Sequence, residues 1–265
     1  MEVIYDGKKE TVKAREYCEK AAEMGNTYAL NNLGVSYRKE QNYEKAKYYH
    51  ELALANGNNN SLGYLGYIYL FQGNYKEAKK YYKLASESNE DDSRVYLNLG
   101  MLYELEENSI QSNKYFKKAL ECGNEDAALN LGVVYERNKN YLMAEKMYKQ
   151  ALSYGIDSAY INLGQLYTDQ KNYSLAEKYL TEGLAVNEDE VTLLAMGDLY
   201  MEQKKYQQAE EYYKRAEENG SLPALMKQSE LYKKQGKYKE AKEYKKLAKN
   251  KGYIQGDYFY LTIEE

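Results

Sequence analysis

The sequence predicts an all-α chain, a right-handed α-solenoid of helix–turn–helix repeats with about seven full repeats and a partial repeat at each end. Three observations carry that prediction. A glycine, a tyrosine and two small residues recur in one order along the whole 265-residue chain. Within each copy, apolar and aromatic residues recur at three- and four-residue spacing on both sides of a short polar turn. The composition is one Pro, one His, no Trp and three Phe against 34 Tyr, with 43% hydrophobic and 29% charged residues. That is enough apolar material to bury a core, which excludes wholesale disorder.

The first helix of each copy is marked by a glycine, at Gly34, Gly66, Gly100, Gly132, Gly164 and Gly197, with Ser229 in the seventh. Glycine costs a helix about 1 kcal/mol relative to alanine, so its recurrence implies a close approach of a neighbouring helix. Three residues on comes a tyrosine: Tyr37, Tyr69, Tyr103, Tyr135, Tyr167, Tyr200 and Tyr232. A polar turn such as Asn138–Asn140 follows. The second helix opens on a tyrosine in six copies and carries small residues at Ala46, Ala78, Ser112, Ala144, Ala176, Ala209 and Ala241. A second small set follows at Ala53, Ala85, Ala119, Ala151, Gly183, Ala216 and Ala248. Its stop is Gly25, Gly57, Gly123, Gly155, Gly220 or Gly252, with Asn89 and Asn187 as the two exceptions. Gly and Asn tolerate the left-handed backbone of a helix C-cap.

At the ends, Tyr5 and Ala14 stand at the spacing of Tyr37 and Ala46, so residues 1–25 read as the tail of a further copy. Residues 26–252 are the seven repeats. Residues 253–265, with Tyr258, Phe259, Leu261 and Ile263, read as a final capping helix. The expectation is one solenoid over 1–265 without an internal boundary. A start inside a repeat suggests a piece of a longer protein.

This order of Gly, Tyr, Ala and Ala resembles the tetratricopeptide repeat. The Asn-Leu-Gly openings and endings such as Ala21-Ala22-Glu23-Met24-Gly25-Asn26 are also similar to the Sel1-like repeat. The turn within each copy lacks the longer Sel1-type insertion, which favours tetratricopeptide spacing. The proline usual near a repeat's end is replaced by Gly or Asn.

No constellation for catalysis is visible, and the chain reads as a non-enzyme. His50 is the only imidazole, which excludes a His-based triad or a multi-His metal site within the chain. His50 itself reads as a packing or surface residue. Cys18 and Cys122 have no implied partner base and read as inert thiols. The glycines follow the repeat register and form no phosphate loop. No cofactor and no metal are expected. Most tyrosines fall on scaffold positions, where a ring buries its face and keeps its hydroxyl hydrogen-bonded.

The resemblance implies that the first helices line a concave surface and carry ligand contacts. Two residues before the glycine position stand Asn32, Tyr64, Asn98, Asn130, Asn162, Ala195 and Lys227, whose four asparagines would form a ladder. Each amide offers a donor and an acceptor to an extended peptide. The same amides would equally serve to tie one hairpin to the next. One residue after the glycine position come Val35, Tyr67, Met101, Val133, Gln165, Asp198 and Glu230, which share that groove; its apolar middle suits hydrophobic side chains of a segment or belongs to ordinary core. Tyr64 and Tyr67 depart from the scaffold pattern and are candidate anchors. The carboxylate-clamp pair of Lys and Asn used by some members of that family is not seen; Arg94 with Asn98 matches only part of it.

The expected function is a protein-interaction scaffold holding an extended or helical peptide segment of a partner. The alternative is a structural or regulatory segment that docks within its own larger protein or self-assembles. Charge is uneven: residues 87–126 hold ten acids against four bases, and 227–252 hold ten lysines against three acids. The basic end reads as a solvated surface, with weak self-association between the two regions as an alternative. Net charge of −4 gives no pull toward nucleic acid, and none is expected as a partner. No stretch reaches the ~20 apolar residues of a membrane helix. The absence of an apolar leader and the free cysteines fit a cytoplasmic setting.

Overall fold

The computed structural model describes residues 16–88 and 92–253. Among these residues all regular structure is helical. Residues 16–23 form the described part of α1. Residues 1–15 of the expected partial repeat over 1–25, the stop at Asn89 and residues 254–265 of the expected capping helix over 253–265 lie outside the described residues.

Seven helical hairpins follow. They fall into two compact units, Met1–Asn124 and Glu125–Glu265. In the first unit the hairpins are α2 (Thr27–Lys39) with α3 (Tyr43–Ala55), α4 (Ser61–Phe71) with α5 (Tyr75–Glu87), and α6 (Ser93–Leu105) with α7 (Ser109–Glu121). In the second they are α8 (Asp126–Arg137) with α9 (Tyr141–Ser153), α10 (Ser158–Asp169) with α11 (Tyr173–Val186), α12 (Glu190–Glu202) with α13 (Tyr206–Glu218), and α14 (Leu222–Lys234) with α15 (Tyr238–Asn250). Within each unit the second helix of one hairpin packs on the first helix of the next, so each unit is an all-α repeat solenoid.

Two side-chain contacts repeat in register, each in six of the seven hairpins. The first-helix glycine receives a bulky side chain sixteen residues on. Gly34 takes His50, Gly66 Tyr82, Gly100 Phe116, Gly132 Tyr148, Gly164 Leu180 and Gly197 Tyr213. In the seventh hairpin the glycine is Ser229 and the facing position is the exposed Lys245. There the Ser229 hydroxyl donates to the Ala241 carbonyl at 2.7 Å. The second contact is a stack between the first-helix tyrosine and a ring twelve residues later. Tyr37–Tyr49, Tyr69–Tyr81, Tyr103–Tyr115, Tyr167–Tyr179, Tyr200–Tyr212 and Tyr232–Tyr244 stack with centroids 5.3–5.6 Å apart.

The turn inside the hairpins is set by its residues in most copies. Asn42, Asn74, Asn108, Asn140 and Asn172 are N-caps, each side chain accepting from the backbone N–H three residues on. The residue before each cap has positive φ: Gln41, Gly73, Glu107, Lys139, Lys171, Lys204 and Gly236. Glycine therefore fills only two of seven left-handed positions.

The helix stops at Gly25, Gly57, Gly123, Gly155, Gly220 and Gly252 adopt the expected left-handed backbone, with φ of 82–91°. At Gly57 the turn closes with paired bonds, Gly57 N–H to Leu54 O and Asn58 N–H to Ala53 O, both 2.9 Å. Asn187 corrects the expectation. Its φ is −149° and its ψ 120°, so the chain leaves α11 extended. The reason is local: Asp189 must reach the start of α12, where its carboxylate accepts from Thr192 N–H at 2.8 Å.

Candidate functional site

The side chains singled out in the sequence lie on the first helices, and the structure treats them unequally. In the first unit Asn32 on α2 is exposed, and Asn98 on α6 is half-buried. Tyr64 and Tyr67 on α4 are half-buried and already engaged: Tyr64 stacks on His50 at 4.8 Å, and the Arg38 guanidinium lies 5.1 Å from the Tyr67 ring centre. Met101 is only 7% exposed and belongs to the core.

The tie between the first two hairpins is made by Asn31. Its Oδ1 accepts from Ser61 Oγ at 3.0 Å and lies 3.1 Å from His50 Nδ1. His50 is fully buried, and burial with the nearby Arg38 charge holds its pKa down to about 4. At neutral pH the ring is uncharged, with Nδ1–H donating to Asn31.

In the second unit Asn130 is half-buried and donates from Nδ2 to the Asp126 carbonyl of its own helix at 3.1 Å. Asn162 is half-buried, Val133 is 42% exposed, and Gln165 is exposed. Among the described residues, the side chains of Asn32, Asn98 and Asn162 make no hydrogen bond.

Gln165 opens onto a cavity of about 610 Å³ formed within this unit by α8, α10, α12, α13 and α14. Its floor includes Ala195, Leu199, Met201 and Tyr213. A closed polar chain lines it: Tyr213 O–H donates to Asp198 Oδ1 at 2.6 Å, and Lys227 Nζ meets Asp198 Oδ2 at 2.7 Å. Glu136, Asp169 and Glu202 stand at the C-terminal ends of α8, α10 and α12, while Lys233 and Lys234 stand at the end of α14. Glu136 accepts from Tyr148 O–H at 2.5 Å. Burial, helped by the Asp169 charge, raises its pKa above the ordinary carboxylate value. Burial likewise pushes the Tyr148 and Tyr213 hydroxyls up, so both remain donors.

Of the residues standing at the two groove registers of the sequence, Gln165, Ala195, Asp198, Lys227 and Glu230 line this cavity; Asn130, Val133 and Asn162 do not. The charged residues at the helix ends, Glu136, Asp169, Glu202, Lys233 and Lys234, escape a sequence reading because charges there read as a solvated face. Their signal is register, since Glu136, Thr168, Met201 and Lys233 all stand four residues after the glycine position. Among the described residues no three of His, Cys, Asp and Glu are grouped to hold a metal ion. None of the described helices is long and apolar enough to cross a membrane.

Repeat models match in register with these hairpins. Tetratricopeptide-repeat models match residues 61–92, 93–121, 124–189 and 194–253, and a Sel1-repeat model matches 4–26 and 27–58. The chain belongs to the tetratricopeptide-repeat family, with Sel1 repeats at its N-terminal side. No curated protein matches the sequence. Among solved structures, a tetratricopeptide repeat protein from Parabacteroides merdae superposes with a TM-score of 0.72 at 18% identity, over 86% of this chain and 94% of that one. The protective antigen c5321 of uropathogenic Escherichia coli, which displays an SLR fold, gives 0.67 at 20% identity, over 90% of this chain and 60% of that one. The APC/C hetero-tetramer Cut9–Hcn1 gives 0.61 at 19% identity, over 78% and 42%. These likenesses are of fold. Tetratricopeptide solenoids are typically protein-interaction scaffolds.

Proposed function

We propose that this tetratricopeptide-repeat protein is an adaptor that binds a peptide segment of a partner protein on the exposed face of its first helices, without catalysing a reaction. The observation that carries the reading is the state of the asparagines. A structural amide in a solenoid is engaged, as Asn31 is by Ser61 and His50. Asn32, Asn98 and Asn162 recur in register at exposed or half-buried positions with no partner among the described residues. A peptide backbone presents the donors and acceptors that such amides lack. The Cut9–Hcn1 likeness is itself part of a protein assembly.

The test is selection of random phage-displayed peptides on the full chain, followed by affinity measurement against an Asn32→Ala, Asn98→Ala, Asn162→Ala variant. The triple variant should weaken the selected peptides at least tenfold, about 1.4 kcal/mol, with little change in melting temperature. Unchanged affinity, or a failure to select any peptide, overturns the reading.

A further inference from the structure

The cavity of the second unit carries more specific information than the asparagine register. Its lining carries both signs of charge, carboxylates on α8, α10 and α12 and, on α14, three lysines with Glu230 among them. Asp169 and Glu202 lie in the last turns of α10 and α12, whose C-terminal carbonyls add negative potential there. Lys233 and Lys234 lie in the last turn of α14. The Lys227–Asp198 pair is already closed by the Tyr213 hydroxyl and is satisfied. Yet among the described residues Asp169, Glu202, Lys233 and Lys234 make no ion pair, although all four line one cavity.

We propose that this cavity seats a short peptide segment bearing both a basic and an acidic side chain, the basic one against Asp169 and Glu202 and the acidic one against Lys233 and Lys234. The inference rests on the peptide-binding reading above and names the class of peptide. The volume of about 610 Å³ suits a few residues of a segment and excludes a folded domain from entering. The partly buried Glu136 beside Asp169 acts in the same direction: burial and the neighbouring carboxylate both disfavour its ionised form, and a seated cation relieves both. Exposed ion pairs are individually weak, on the order of 0–1 kcal/mol, so selectivity needs both sets of charges together. A peptide with only one sign of charge meets attraction from one set and repulsion from the other.

Peptides selected on the full chain provide the probe. The expected result is that they carry a Lys or Arg and an Asp or Glu within a few residues of each other. Against the best of them, Asp169→Asn with Glu202→Gln, and separately Lys233→Gln with Lys234→Gln, should each lower affinity about tenfold. Raising salt should weaken the wild type more than either variant. Both variants alter exposed side chains and should keep the wild-type melting temperature. Peptides that bind equally well to both variants overturn this inference; if they still lose affinity to the asparagine triple variant, the adaptor reading stands. Failure to select any peptide overturns both.

Discussion

A β-carbon added to Gly66 would stand 2.7 Å from Cδ1 and Cε1 of Tyr82, closer than carbon atoms approach without displacement. Tyr82 is 1% exposed and fills the space between α4 and α5 with its ring. The contact is with the base of the ring as well as its edge, Cγ lying 2.9 Å from the same point, so a small rotation of the phenol does not relieve it.

Gly66→Ala is therefore expected to destabilise the chain by about 1–3 kcal/mol through overpacking, although alanine is the better helix former by about 1 kcal/mol. Urea unfolding measures it. A gain in stability would show that the ring moves freely, and the account of the glycine register would fail.

The same contact separates what sequence reading reaches from what it does not. The glycine position is visible because one residue type recurs at one spacing, and so are the stops at Gly57 or Gly155, where positive φ demands glycine. The partner side chain is less visible, since His50, Phe116, Leu180 and Tyr213 share only bulk. Asn187 misleads because asparagine suits a left-handed cap and an extended linker alike, and the need to place Asp189 decides between them. Gln41, Glu107, Lys139, Lys171 and Lys204 carry no local sign of positive φ; their conformation is imposed by the caps and helices they join. Asp198 and Lys227 stand at groove registers of the sequence, but that they share one cavity is hidden because it is assembled from five helices, α8, α10, α12, α13 and α14, each ordinary by itself.

Those non-glycine left-handed residues give a second prediction. A side chain in the left-handed region costs about 1–2 kcal/mol, and glycine there loses about 0.5–1 kcal/mol in chain entropy. Lys139→Gly, Lys171→Gly and Lys204→Gly should each raise stability by up to about 1 kcal/mol. Gly73→Ala and Gly236→Ala, at the equivalent turns with φ of 73° and 76°, should lower it. Thermal melts of the five variants test the set, and a loss in the three lysine variants would refute the argument.

Acid should weaken the first unit through His50. Its pKa in the folded chain is about 4, against an ordinary value of 6.5. Between these values the unfolded chain takes up a proton that the folded chain does not. Stability is thus fully present above pH 6.5, falls as pH drops from 6.5 to 4, and levels off below for this group. The loss is on the order of 3 kcal/mol. Glu145 and Glu210, lowered by their hydrogen bonds to Lys149 and Lys214, add a loss that begins only near their ordinary value of 4.5. Phe116 fills the same position against Gly100, so His50→Phe should fold and should flatten the dependence between pH 6.5 and 4.5. An unchanged slope in that window would place the acid sensitivity elsewhere.

Asn31 and Asn32 are adjacent, yet they should respond oppositely to truncation. Removing the Asn31 amide leaves the Ser61 hydroxyl and His50 Nδ1–H without their acceptor. Ser61 and His50 are both fully buried, so water cannot take the acceptor's place without rearrangement. Each orphaned buried donor costs about 1–3 kcal/mol, and the two share one acceptor, so Asn31→Ala should cost at least 1 kcal/mol. Asn32 is exposed and makes no hydrogen bond among the described residues, and Asn32→Ala should shift stability by no more than about 0.5 kcal/mol. Paired chemical-denaturation curves decide it. Equal losses would mean that Asn32 also ties hairpins together, and the asparagine register would then be scaffold instead of a surface kept for a partner.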